Sequence, residues 1–511
     1  MAVSNTALFF YTGLILTFGF YRWQNRKKIR LPLPPGPKKL PLVGNLFQLP
    51  TTYEWEVFAR WSEAYNSDIL HVDAAGKSII IVNSHQVATD LFDKRSALYS
   101  SRVTSVMINE LIKFDWLFGF MPYGEPWKER RRLFQKHFHP LDTTSHQPRE
   151  LEHVHKLLKQ LLRTPEEFIE HIRHAIGAIT ISIAYGLDIK PLNDPYIEIA
   201  EQALQGLAAG AAPTWLVDSI PVLKYVPPWF PGASFKRKAE EWRIWATKLV
   251  EVPFFDAQKA MAAGNASPSF VSACLNNMDE TKDTESQKRV IMDTAGNFFV
   301  GGADTSVSSI NTFMLMMICH PEIQEKAQQE LDRVLGKNVL PSFGDEPSLP
   351  YITAIVKEVL RYHAVTPFAI PHYLTENDEY NGYFLPKGSI VLGNVWAILH
   401  DKNDYPDPLE FRPERFLTAD GTRLDPSVRD PSAAFGFGRR VCPGKHMAYS
   451  MLYIAIASIL AAFDIKKVVG EDGKEIEPTK EFVSSMVSHP KPFQCTLKPR
   501  SAELEKLISS L

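Results

Sequence analysis

Cysteine is the rarest residue in this chain: four among 511, namely Cys274, Cys319, Cys442 and Cys495, and no two form a C-x-x-C pair. That excludes a disulfide framework and a ribbon-type zinc site, and suits a reducing compartment. Net charge is also missing. The 56 basic and 58 acidic residues leave −2, so no global field attracts nucleic acid. No G-x-G-x-x-G follows a strand pattern, so no flavin or nicotinamide site is encoded. Internal repeats and low-complexity tracts are absent. Charge is wholly absent from Met1 to Tyr21, where ALFFYTGLILTFGFY runs nearly unbroken.

What is present begins with that apolar stretch. With its uncharged flank it is long enough to cross ~30 Å of hydrocarbon, and Arg22, Arg26, Lys27, Lys28 and Arg30 follow at once, which sets the rest of the chain on the cytoplasmic side. A positive n-region and a small-residue cleavage site are lacking, so a retained anchor over 1–22 is expected rather than a cleaved signal. Prolines crowd LPLPPGPKKLPLVGN at 31–45 and forbid a helix. Residues 23–49 are therefore expected to form a stiff basic and proline-rich linker.

Beyond the linker, 45% hydrophobic and 22% charged composition describes a large globular core. Amphipathic periodicity recurs at 149–163, 234–262, 286–319, 321–335, 350–362 and 444–463, with a hairpin pattern at 68–83. The expected fold class is mainly α with small β-sheets, as a single large domain. The proline-broken apolar segment 208–232 is either a buried connection or a lid touching a membrane.

One loop carries chemistry. FGFGRRVCPG at 435–444 sets Cys442 among glycines and arginines. Its only near histidine is His446, and two ligands do not complete a zinc site, whereas heme needs a single protein ligand. Phe435, Gly438, Arg440, Cys442 and Gly444 match F-x-x-G-x-R-x-C-x-G, so the loop resembles the cysteine-ligand loop of cytochrome P450 enzymes. Five fixed positions arise by chance in a chain this long on the order of once in 10⁴. The resemblance implies heme b with iron bound through the Cys442 thiolate. It also implies that Gly436 and Gly438 admit the macrocycle, that Arg440 meets a propionate, and that Pro443 opens a helix facing the sulfur.

Other positions fit the same family. In NFFVGGADTSVSS, Phe298, Gly301, Gly302 and Thr305 share one helical face. Two glycines inside a helix cost about 1 kcal/mol each, so something must use the space. The stretch resembles the family's distal helix, which implies that Asp304 and Thr305 handle protons. E-x-x-R recurs along the chain, at Glu129/Arg132, Glu240/Arg243, Glu330/Arg333 and Glu358/Arg361 among others. Apolar surroundings single out Glu358/Arg361, and the resemblance adds Arg415 from FRPERF as a structural third partner. Trp127 and Arg131 in WKERR match a W-x-x-x-R that reaches a propionate; the alternative is a solvated face. His372 falls where the family places another propionate contact; the alternative is a loop histidine.

The resemblance thus implies a P450 heme domain over 50–500, with 501–511 as a tail. The implied activity is a monooxygenase inserting one oxygen atom of O2 into a lipophilic small molecule, in fungal secondary metabolism such as terpenoid biosynthesis. Indole, tryptamine and polyketide substrates are alternatives, as are a heme-thiolate isomerase or dehydratase and a non-catalytic heme protein. Electrons would come from NADPH-cytochrome P450 reductase, docked on a basic patch of Arg130, Arg132, Lys136, Arg439 and Lys445. The expected location is the endoplasmic reticulum membrane, single-pass, with the catalytic domain in the cytoplasm. Phe298, Phe299, Val365 and Phe368 are the expected pocket residues.

Overall fold

Ten helices carry the architecture that matters for the site: α1 (Glu125–His137), α2 (Gln147–Arg163), α3 (Phe168–Tyr185), α4 (Ser234–Ala262), α5 (Thr284–Ala303), α6 (Thr305–Cys319), α7 (Pro321–Leu335), α8 (Pro350–Tyr362), α9 (Lys445–Ala462) and α10 (Ala502–Ser510). The structure is a computed structural model describing residues 31–138, 144–191, 193–212 and 215–511. The expected anchor over 1–22 and the linker as far as residue 30 lie outside those residues.

The periodic stretches become helices within about two residues of their expected ends, with one exception. The run 286–319 breaks at Asp304 (φ −125°, ψ −36°) into α5 and α6. The Thr305 hydroxyl donates to the Gly301 carbonyl at 2.7 Å, where a helical N–H would otherwise bond, and two glycines weaken the turn before it. Sequence periodicity is blind to such a break, because the apolar face continues through it.

Five strands form the main sheet in the order β1 (Ile69–Ala74), β2 (Lys77–Val82), β7 (Ile390–Gly393), β4 (His372–Tyr373) and β3 (Ser101–Arg102). The expected hairpin is β1–β2, turned through Ala75 and Gly76, both at positive φ. β5 (Asp378–Tyr380) pairs with β6 (Tyr383–Leu385), and β8 (Phe463–Lys466) with β9 (Thr496–Pro499). The antiparallel β3–β4 register sets Arg102 opposite His372, and both side chains reach the central cavity.

The core runs through α3, α5, α6, α8 and α9. Among the described residues α9 alone is apolar and long enough to cross a membrane, yet 72% of that stretch is buried inside the protein. It is a core helix.

From residue 31 the expected stiff linker lies against the sheet: His71 N donates to Pro35 O at 2.9 Å, and Gly44 bridges Ala74. One expectation is corrected and one alternative is removed. Residues 501–511 are not a tail, since α10 buries Leu504 and Ile508. Segment 215–232 is no buried connection either: Leu216, Tyr225 and Trp229 are 68%, 75% and 78% exposed.

Candidate active site

The cysteine loop is folded by its own backbone. Cys442 N donates to Phe435 O at 2.8 Å, drawing 435–442 into a compact turn. Gly436 (φ 78°, ψ −167°) has a backbone conformation open in practice only to glycine. Gly438 plays a part other than the expected one: a Cβ there would strike the Phe92 carbonyl, so this glycine lets the loop close on segment 89–94 and does not line the cavity. Arg131 Nη1 donates to Val441 O at 2.7 Å and holds the residue before the sulfur. Burial pushes the Cys442 thiol up, while the Gly444 N–H, Arg131 and Lys445 pull it back toward the thiolate. The helix begins at Lys445, two residues later than Pro443 suggests, with Gly444 at its cap.

Above this loop lies a cavity of about 320 Å³ bounded by α1, α3, α5, α6, α9 and the loops before β4. One end is lined by three guanidiniums, Arg102, Arg131 and Arg440, and the imidazole of His372. Trp127, Arg131 and Phe134 form the buried face of α1, which brings all three into the wall. Arg440 donates to the carbonyls of Ser100 (2.6 Å), Phe118 (3.3 Å) and Met121 (2.8 Å) and lies 4.3 Å above the Trp127 ring. Arg102 donates to Gly119 O and Ile370 O. His372 Nδ1 is 2.7 Å from Tyr99 O, and its ring stacks on Phe92.

These cations are 9% exposed or less, and among the described residues none faces a carboxylate. Burial draws Arg440 down to about 9 and lowers Arg102 and Arg131, with guanidinium repulsion adding to the first two. Unpaired buried charge of one sign is costly unless a ligand answers it. A macrocycle carrying two propionates would do so, and Cys442 would supply its thiolate ligand. The residues present therefore fit heme: Cys442 would hold the iron and Arg102, Arg131, Arg440, Trp127 and His372 the propionate edge. When bound, heme activates O2 with two electrons and two protons.

The opposite wall belongs to α5 and α6, and its two glycines do different work. A Cβ at Gly301 would meet nothing within 4 Å, so this position opens the cavity, whereas one at Gly302 would approach Thr180 Cγ2 to 2.5 Å, so this one lets α3 pack against α5. Thr305 and Asp304 also line the cavity. The Asp304 carboxylate is held from both sides, Oδ1 by Arg173 Nη1 at 2.9 Å and Oδ2 by His489 Nε2 at 3.1 Å. Burial by itself would raise its pKa, but His489 and Arg173 outweigh it and keep the group below the usual carboxylate range.

Behind the loop, Glu358 and Arg361 are fully buried and form two bonds, Nε–Oε2 at 2.7 Å and Nη2–Oε1 at 2.8 Å. Arg415 Nε closes the triad 3.1 Å from Oε2. Arg361 also donates to the carbonyls of Leu399, Pro408 and Glu410, so the network pins the segment that leads to FRPERF. The other E-x-x-R pairs do not form this arrangement: Arg132 turns to Glu125, and Glu330 accepts N–H groups at the start of α8.

Several positions depart from expectation. Arg130 is tied to the buried Asp293 at 2.7 Å with 11% of its side chain exposed, so it leaves the proposed basic patch. Phe298 and Val365 line the cavity; Phe299 packs against Tyr185, and Phe368 lies with Trp55 and Phe58. Arg102, Arg173, Asn297 and His489 were not singled out by sequence. Asn297 heads the quoted NFFVGGADTSVSS stretch without being one of the positions read from it, and Arg102, Arg173 and His489 reach the site through tertiary packing.

Fold and site together define a heme-thiolate protein with a largely apolar chamber beside the cysteine loop. A family profile described as Cytochrome P450 matches residues 34–497. The chain is 48% identical over 495 residues to cytochrome P450 monooxygenase ple1 of Rhodocybe pseudopiperita, covering 96% of this chain and 94% of that protein. It is 46% identical over 490 residues to cytochrome P450 monooxygenase 98 of Postia placenta (95% and 94% covered). It is 43% identical over 502 residues to tryptamine 4-monooxygenase of Psilocybe cyanescens (97% and 99%). The chain belongs to the cytochrome P450 family. It is a P450 monooxygenase that uses heme b ligated by a cysteine thiolate, with O2 as co-substrate.

Proposed function

We propose that this monooxygenase hydroxylates an uncharged lipophilic molecule of terpenoid type in fungal secondary metabolism, with electrons from NADPH-cytochrome P450 reductase. One observation carries the substrate class. The only carboxylate lining the cavity among the described residues is Asp304, and both its oxygens are already taken, one by the Arg173 guanidinium and one by the His489 ring. An ammonium group entering the chamber would find no free countercharge and would lose its hydration. Phe120, Val300, Ile370, Met486 and Val487 supply an apolar wall instead.

In this reading Thr305 and Asp304 are catalytic. Thr305 Oγ1 now donates to Gly301 O; turning its proton into the chamber presents a donor beside the Gly301 gap. The ionised Asp304 accepts a proton from the Arg173 side, where Glu201 reaches solvent, and passes it inward. Glu358, Arg361 and Arg415 hold the proximal core. Residues 1–22 anchor the chain in the endoplasmic reticulum membrane, 23–49 link, and the heme domain follows in the cytoplasm. The exposed Leu42, Phe47, Leu216, Tyr225 and Trp229 support a membrane-facing side. Their segments are joined through Ala75 N to Val43 O and Lys77 Nζ to Asp218 O.

The test is product analysis by mass spectrometry in a host co-expressing the chain with a reductase, fed sesquiterpenoids and indole amines in parallel. Oxygenated sesquiterpenoids are expected. Turnover of the protonated amines alone would overturn the substrate reading.

A further inference from the structure

Asn297 lies one helical turn before Gly301 on α5, in the cavity wall, and is 8% exposed. Its amide has a determined orientation. Nδ2 donates to Asp293 O at 2.7 Å and to Trp116 O at 3.2 Å. Both partners are carbonyl oxygens, which only accept, so the NH2 end must face them and the flipped amide is excluded. Oδ1 is thereby turned away from both. It accepts no hydrogen bond among the described residues, and it is not enclosed by protein atoms, so it faces the open chamber.

A buried acceptor with no donor is an unmet requirement. No described residue meets it: Val300, three residues on along the same helix, carries no donor, and the Thr305 proton is spent on Gly301 O. We propose that Asn297 Oδ1 anchors a single hydrogen-bond donor, a hydroxyl or N–H, on an otherwise apolar substrate. The substrate is then a lipophile already bearing one donor, not a plain hydrocarbon. Its donor end binds roughly 5–6 Å along α5, one helical turn, from the Gly301 gap where the carbon to be oxidised is exposed. An upstream oxidation, or a cyclisation quenched by water, is the class of reaction that supplies such a molecule. The inference rests on the reading of this chamber as the substrate site above heme.

Azole probes test it without knowledge of the substrate, because an imidazole nitrogen fixes them to the iron. The full-length heme-loaded protein is titrated, by its Soret shift, with 1-phenylimidazole, the 2-, 3- and 4-(imidazol-1-yl)phenols and the matching fluorophenyl compounds. One phenol should bind the wild-type protein roughly fivefold or more tightly than its fluoro counterpart, the worth of one net hydrogen bond. Asn297→Leu should erase that preference and keep the affinity for 1-phenylimidazole. The proposal is overturned if the wild-type protein prefers no phenol isomer, or if the preference survives in Asn297→Leu. It is also overturned if Asn297→Leu weakens every probe equally, the mark of a residue that only ties α5 to the Trp116 loop. Absence of any Soret shift with 1-phenylimidazole in heme-loaded protein would instead overturn the reading of the chamber.

Discussion

Asp304 Oδ2 lies 3.1 Å from His489 Nε2, so a loop 185 residues further along the chain closes on the break between α5 and α6. Arg173 on α3 takes the other oxygen and in turn lies 3.4 Å from Glu201. The carboxylate thus sits between the chamber and a polar path outward, ionised at neutral pH.

Replacing it separates its two effects. Asp304→Asn should lower the fraction of reducing equivalents ending in product and raise peroxide release, measured with reductase and substrate present. Stability should change with a defined sign. Because the folded-state pKa is depressed, the ion pairs stabilise the protein above the unfolded carboxylate range, about pH 4, and that contribution is lost as pH falls through the folded value. The gap in melting temperature between the parent and Asp304→Asn should be widest near neutral pH and close in acid. A gap that does not vary with pH would refute the pairing.

Glu358 answers two buried guanidiniums at once, so its loss leaves both uncompensated. Glu358→Gln should cost about 3–5 kcal/mol, enough to exhaust much of a domain's stability. The expected readout is little or no absorbance of the reduced CO complex per mole of protein. Arg132, which carries the same E-x-x-R spacing on a solvated face, is the control: Arg132→Ala should fall within about 0.5 kcal/mol of the parent.

The guanidinium end makes a prediction about the cofactor. Arg440, drawn down to about 9 by burial and by Arg131, is charged at neutral pH without a carboxylate partner. Heme should therefore raise the melting temperature of the apoprotein far more than its dimethyl ester, whose capped propionates carry no charge. Arg440→Leu should shrink the difference between the two by roughly tenfold in affinity, the scale of one buried charge-assisted bond. Equal binding of heme and ester to the parent would refute the assignment.

These cases show what was legible in the sequence. Helices α2, α4, α7, α8 and α9 announce themselves through apolar period, and Cys442 through a loop whose residue types make sense only around one sulfur. Glu358/Arg361 is the E-x-x-R pair with both members at 0% exposure, and the apolar residues flanking it carry that burial in the sequence. Arg102 could not be found: it occupies a two-residue strand and becomes a site residue only because the β3–β4 register sets it beside His372. His489 and Arg173 are likewise products of packing between distant segments. Gly438 shows the converse, a motif position whose steric need comes from Phe92 and not from the cavity.

The adjacent glycines on α5 allow the sharpest comparison, since sequence treats them alike and geometry does not. Ala is the better helix former by about 1 kcal/mol at either position. At Gly302 the new methyl carbon would press on Thr180 Cγ2 at 2.5 Å, and overpacking of this kind costs typically 1–3 kcal/mol. At Gly301 it meets nothing within 4 Å, so the helix gain is kept. Gly302→Ala should therefore be neutral to destabilising, by up to about 2 kcal/mol, with the product pattern unchanged. Gly301→Ala should fold at least as well as the parent yet shift the position of oxidation or lower turnover, because the methyl occupies the chamber. Thermal melts of the two heme-loaded variants, with product analysis on one shared substrate, decide the matter. The outcome that contradicts the assignment is a stable Gly302→Ala with altered products beside a destabilised Gly301→Ala with the parent's products.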